Sequence, residues 1–311
     1  MDILLQGTID ESNPLSNLNN LVLNHISDII DDDYDKHIDQ KSVASKTDIN
    51  LILINITINR LLNTSFLNED LYKKWKFQFP EYTGINVNMM PFNIFRSKDT
   101  LPEYLHQYLP LINSCPIYPH TYKPNGEYES YNPDKICYLT IHESIVKKGE
   151  TQRRGGLHIE RPGSITTKSR FVKTEKWGDN EYSRLSWGMG TCTKDGFPID
   201  GIYMATNTPK SCKIYDVLID KPEEITDKHG GIDHIMKTKL DKLRKSYYME
   251  PNKLYWMTDR TPHESMPVEE DCKRQYFRLI VGKISVWYSQ HNTANPLYEP
   301  DAPIVNESKF V

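Results

Sequence analysis

His158 and Glu160 lie in the stretch 151–163, TQRRGGLHIERPG, where two glycines lead into the histidine and Pro162-Gly163 ends any extended run. On a β-strand successive side chains alternate faces, so a histidine and a glutamate separated by one residue point the same way and can grip one ion together. An imidazole beside a carboxylate, with no cysteine near, suits a borderline metal such as Fe, Mn or Zn. His-x-Glu also recurs by chance, so the pair gains meaning only with a third ligand.

That third ligand is available in residues 258–287, TDRTPHESMPVEEDCKRQYFRLIVGKISVW. His263 opens a short candidate strand, and Arg274 stands at the start of the next. Along the later strand Arg274, Tyr276, Arg278 and Ile280 share one face, while Phe277, Leu279 and Val281 share the other. An arginine on the inward face of a sheet is costly to bury without an anion, and its planar fork suits a carboxylate. The purely structural alternative pairs Arg274 or Arg278 with one of the acids Glu269, Glu270 or Asp271.

Taken in order, His158-x-Glu160, a distal His263 followed by Pro267-Val268, and an arginine on a late strand resemble the iron(II)- and 2-oxoglutarate-dependent dioxygenases, the prolyl-hydroxylase-like members in particular. The resemblance covers residues 130–290 and implies a double-stranded β-helix, or jelly-roll, core. It implies that His158, Glu160 and His263 form a facial triad on Fe(II). Arg274 would hold the distal carboxylate of the cosubstrate 2-oxoglutarate, with Arg278 on the same face as its rival. The activity implied is oxidation of a substrate, small molecule or protein, with release of succinate and carbon dioxide. Most members carry Asp where this chain has Glu160, so the extra methylene requires a strand set slightly farther back.

Two other classes stay open. One is a jelly-roll binding or structural protein without turnover, since such scaffolds serve many ends. The other is a cupin-like metal enzyme that does not use 2-oxoglutarate and leaves Arg274 structural. The zinc-protease helix motif is absent, because neither His142-Glu143 nor His263-Glu264 continues to a second histidine three residues on. His120, His142, His229, His234 and His291 read as ordinary core or surface histidines. Asn207 and Thr208 read as turn residues that could also donate to a ligand.

The elements that must position these groups follow from local pattern. Asn13-Pro14 starts a helix running to residue 30, with a polar stretch over 34–48 that includes His37; His25 lies in the helix. Residues 49–62 fit a buried strand or a buried helix equally. Asp99-Thr100 caps a helix carrying Leu101, Tyr104, Leu105, Tyr108 and Leu109, which Pro110 and Pro116 end.

Past Pro133 short apolar runs alternate with Gly, Pro, Asn and Asp, the texture of an all-β sandwich or barrel. Strands are expected over 136–142, 156–160, 202–206, 211–219, 253–257, 264–268 and 275–286, with one helix over 232–243. The loop 164–198, which holds Trp177, Tyr182 and Trp187, is a candidate lid. The expected fold class is therefore mainly β with flanking helices: a helix-bearing flank over 1–125, the core over 126–290, and an extended arm over 291–311.

Composition narrows the partners. The 311 residues carry a net charge of −4, with a pI near 6.2, which argues against strong general nucleic-acid binding. Lys147-Lys148 with Arg153-Arg154, and the run Lys237–Lys245, read as solvated faces, with anion steering by the first group as the alternative. The five cysteines are odd in number and include no Cys-x-x-Cys, which favours a reducing compartment and speaks against a disulfide framework or a cysteine zinc site. The amino terminus lacks signal-peptide features, and no apolar run reaches membrane-spanning length, so a soluble, intracellular protein with no membrane partner is expected.

Overall fold

The computed structural model describes residues 77–306 except 118–119, 123–127, 161–173, 178–179, 184–185, 193–197, 216, 220–221, 228 and 244–245. All of them belong to the unit Ser65–Val311. The helix expected at 14–30, the run 49–62, His25 and His37 lie outside the described residues, as does the first part of the candidate lid.

The described chain is mainly β, with antiparallel pairing in every sheet but the short pair of Trp287–Tyr288 with Ile304–Val305, and few helices. In order the strands are β1 (Asn86–Asn93), the hairpin β2 (His120–Tyr122) and β3 (Tyr128–Tyr131), β4 (Ile136–Val146), and the hairpin β5 (Thr174–Trp177) and β6 (Asn180–Ser183). There follow β7 (Gly190–Cys192), β8 (Pro198–Thr206), β9 (Cys212–Tyr215), β10 (Ser246–Tyr248), β11 (Tyr255–Met257) and β12 (His263–Ser265). The last are β13 (Cys272–Val281), β14 (Trp287–Tyr288) and β15 (Ile304–Val305). No helix among the described residues is long and apolar enough to cross a membrane.

The larger sheet runs β1-β4-β13-β8-β11, with β7 paired to the start of β8. The smaller runs β10-β9-β12. It extends through His158, which bridges His263 on one side and Gly231 on the other. The strand expected over 156–160 is thus reduced to a bridge: His158 N donates to His263 O at 3.0 Å and His263 N returns to His158 O at 2.9 Å. Gly156, at φ +82°, turns the backbone just before it, which keeps the segment from running on as a strand.

Strand β13 lies at the centre of the larger sheet and divides the core by its alternation. Phe277, Leu279 and Val281 pack in one cluster with Leu139 and Ile141 of β4. That cluster also contains Leu105, Tyr108 and Leu111, from the segment before residue 117. Tyr276 and Ile280 belong to the opposite cluster, with Met204, Cys212 and Trp187. Each large apolar side chain so buried contributes about 1.5–3 kcal/mol.

The helix expected to begin at Asp99-Thr100 is broken into pieces. A single turn, Ser97–Thr100, ends there; a 3-10 stretch covers Glu103–Tyr108 and a short helix covers Leu109–Ser114. Pro102 accounts for the break, since the residue before a proline is pushed out of the helical region and Leu101 sits at φ −105°, ψ 139°. Pro110 ends nothing: it stands in the first turn of the short helix, where its missing N–H is harmless.

Candidate functional site

His158 and His263 face each other across the bridge between their backbones. Their ring centroids are 4.6 Å apart. Each ring is held by a carbonyl two residues earlier: His158 Nδ1 to Gly156 O at 2.8 Å, and His263 Nδ1 to Thr261 O at 3.0 Å. A carbonyl oxygen only accepts, so Nδ1 carries a hydrogen in both rings, and in the neutral imidazole Nε2 keeps its lone pair. Burial, reinforced by the adjacent His263, pushes His158 down to about 3, so its imidazole is neutral at ordinary pH.

Glu160 completes the group. Its Oε1 lies 3.7 Å from His263 Nε2 and also forms a buried ion pair with Arg278 Nη1. Arg278 Nη2 donates to Thr140 Oγ1 at 3.3 Å and to Asn88 Oδ1 at 3.5 Å, while its Nε has no hydrogen-bond partner. Among the described residues no three His, Cys, Asp or Glu side chains are already gathered as a metal-holding cluster. The two rings with free Nε2 lone pairs fit a metal ion; the Glu160 carboxylate beside them is shared with Arg278.

Arg274 stands apart from this pair. It is 0% exposed, donates from Nη1 to Ser265 Oγ at 3.1 Å, and leaves Nε unpartnered. No carboxylate pairs with it among the described residues. Of the acids considered from sequence, Asp271 binds Lys147 at 2.7 Å, Glu269 binds Lys210 at 2.8 Å, and Glu270 is exposed. The alternative that paired Arg274 or Arg278 with Glu269, Glu270 or Asp271 is therefore not what the fold builds.

His158, Glu160, His263, Arg274 and Arg278 all line one cavity of about 70 Å³ between the two sheets. Trp187, buried and stacked on Tyr288 at 5.7 Å between centroids, closes part of its wall. Sequence reasoning read past several other lining residues. His229 and His291, taken as ordinary histidines, both reach the cavity, as do Asn88 and Asn292. Arg153, taken with Arg154 as a solvated pair, is partly buried there.

His142 does not line the cavity. Its Nδ1 is buried without a hydrogen-bond partner, and burial together with Arg153 and Arg274 lowers its pKa to about 4. Asn207 has the structural role: Nδ2 donates to Lys273 O at 3.0 Å, and Oδ1 accepts from Gln275 N at 2.8 Å, tying the end of β8 to β13. Comparison with protein-family models and with curated proteins finds no match to this chain.

Proposed function

We propose that this chain is an iron(II)- and 2-oxoglutarate-dependent oxygenase built on a double-stranded β-helix. The observation that carries the reading is Arg274: a fully buried guanidinium with no carboxylate partner among the described residues, facing the cavity that holds His158, Glu160 and His263. A buried cation is tolerated when an anion arrives to meet it, and Arg274 with Ser265 Oγ offers donors suited to the distal carboxylate of 2-oxoglutarate.

The strand order supports the fold assignment. From β4 the chain passes to His158 in the smaller sheet, back to β8, across to β9 and β10, back to β11, across to β12, and returns in β13. That alternation is what a wound pair of antiparallel strands produces.

In this reading the Nε2 atoms of His158 and His263 and the Glu160 carboxylate hold Fe(II), which supplies oxygen activation when bound. Arg278 positions the Glu160 carboxylate. Tyr276 and Trp187 wall the cavity and limit water. One observation favours the non-catalytic alternative: the Arg278 ion pair competes with a metal ion for the Glu160 carboxylate.

Anaerobic titration with Fe(II) and then 2-oxoglutarate, followed by air, separates the readings. The expected result is a metal-to-ligand charge-transfer band on adding 2-oxoglutarate, and succinate after oxygen. Metal binding without 2-oxoglutarate binding would favour a cupin-like enzyme; binding of neither would leave a jelly-roll binding protein.

A further inference from the structure

Gln152 fixes the backbone on one side of Arg153. Its Nε2 donates to the carbonyls of His142 at 3.0 Å and Arg274 at 2.9 Å, and to Ser144 Oγ at 3.0 Å. On the other side Arg154 Nη1 donates to the His229 carbonyl at 3.0 Å. Between these anchors Arg153 lies partly buried, its guanidinium 5.2 Å over the Tyr276 ring and facing the cavity. Among the described residues it makes no hydrogen bond and no ion pair.

Arg274 approaches the same ring, its Cζ 6.0 Å from the centroid. Glu160 is the one acidic side chain lining the cavity among the described residues, and Arg278 takes it. Arg153 and Arg274 are thus two inward cations without an ion-pair partner among the described residues, close enough to repel each other. In the oxygenase reading 2-oxoglutarate brings two carboxylates, one directed to the ion and one to Arg274. Arg153 remains unmatched by any described residue, and an anionic group on a second molecule would complete it.

We propose that Arg153 forms a second anion subsite that holds a carboxylate of the substrate, so that the substrate is a small carboxylic acid. One unmatched charge fits a monoanion, and a planar carboxylate fits the guanidinium fork. A phosphate monoester would bring close to two charges at neutral pH. The subsite itself needs no metal; its assignment to substrate rests on the oxygenase reading.

The test uses the full chain loaded with Mn(II) and saturating 2-oxoglutarate under anaerobic conditions, and two probes that differ in charge: butyrate and butyramide. Calorimetry should show butyrate binding at least about tenfold more tightly than butyramide. Arg153→Gln should weaken butyrate about tenfold or more, while 2-oxoglutarate affinity changes by less than about threefold. Equal binding of the two probes, or butyrate affinity unchanged in Arg153→Gln, overturns the subsite. A loss of 2-oxoglutarate affinity of about tenfold or more also overturns it, by putting Arg153 in the cosubstrate clamp.

If the parent chain binds no 2-oxoglutarate, the oxygenase reading falls separately. The butyrate comparison is then made in an Arg274→Ala background, which removes the rival clamp, and dependence on Arg153 still decides the subsite. Should Arg153→Gln fail to fold, Arg153→Lys replaces it. Lysine keeps the charge and loses the fork, so a drop of about fivefold in butyrate affinity supports the subsite and no drop overturns it.

Discussion

Arg278 and Glu160, 118 residues apart in sequence, form an ion pair in which both residues are more than nine-tenths buried. Removing one partner from such a pair costs about 3–5 kcal/mol, because the other is left charged and desolvated. Arg278→Met should therefore lose stability of that order in urea melts. A divalent cation at the histidines would supply the missing positive charge, so Mn(II) should restore more stability to Arg278→Met than it adds to the parent chain. Equal stabilisation of both chains would falsify the positioning role given to Arg278.

Arg274 has a different consequence. A carboxylate held by a buried guanidinium fork gains charge-assisted hydrogen bonds, and truncating the arginine costs about 2–5 kcal/mol. Arg274→Ala should weaken 2-oxoglutarate binding by more than about thirtyfold, since each 1.4 kcal/mol is about tenfold, with Mn(II) affinity nearly unchanged. An equal loss of metal and cosubstrate binding would mean that the substitution had collapsed the cavity, which anaerobic titration of the variant distinguishes.

The inward and outward faces of β13 were legible because a period of two survives wherever one face is buried on each side of a sheet. Alternation alone does not pair His158 with His263; their meeting was expected only from the resemblance, and Gly156 shortens the strand of His158 to a bridge. Strand β1 was not legible. It carries Pro91 and three asparagines, and a register shift between Val87 and Met90, where Met89 adopts φ +51°, interrupts its alternation. Pro91 is tolerated because β1 is the edge of its sheet. Arg153 was hidden differently: two adjacent arginines on a loop look solvated, and only the three hydrogen bonds of Gln152 direct one of them inward.

Gly201 offers a test of the sheet itself. It sits in β8 at φ +87°, and a Cβ there would lie 2.5 Å from Trp256 Nε1 and 2.8 Å from Met257 O. Gly201→Ala should cost at least about 2 kcal/mol, from strained backbone and overpacking together. Gly149→Ala is the matched comparison, since φ is +82° but nothing lies within 4 Å of its Cβ. Backbone strain alone predicts equal losses in urea unfolding; the clash predicts the larger loss at Gly201.

Glu143 is the buried carboxylate that ties the segment before β1 to the sheet. Its Oε2 accepts from the backbone N–H groups of Thr83, Gly84 and Ile85 at 2.8, 2.6 and 3.0 Å, and its Oε1 accepts from Tyr108 OH at 2.6 Å and Gln275 Nε2 at 2.9 Å. Burial alone would push its pKa up, but these donors outweigh it and hold the carboxyl below its ordinary value of 4.5. A depressed folded-state pKa gives stability that is fully present above the unfolded value and is lost as pH falls from there through the folded value. The parent chain should therefore lose stability progressively below pH 4.5. Glu143→Gln can keep an amide oxygen facing the three backbone N–H groups but then turns its N–H₂ toward the Gln275 Nε2 donor, and should cost about 1–3 kcal/mol at neutral pH. Having no carboxyl to protonate at this position, it should also show a shallower acid slope. Urea unfolding of both chains between pH 3 and 7 measures the two effects together, and parallel slopes would show that Glu143 is not the group that titrates.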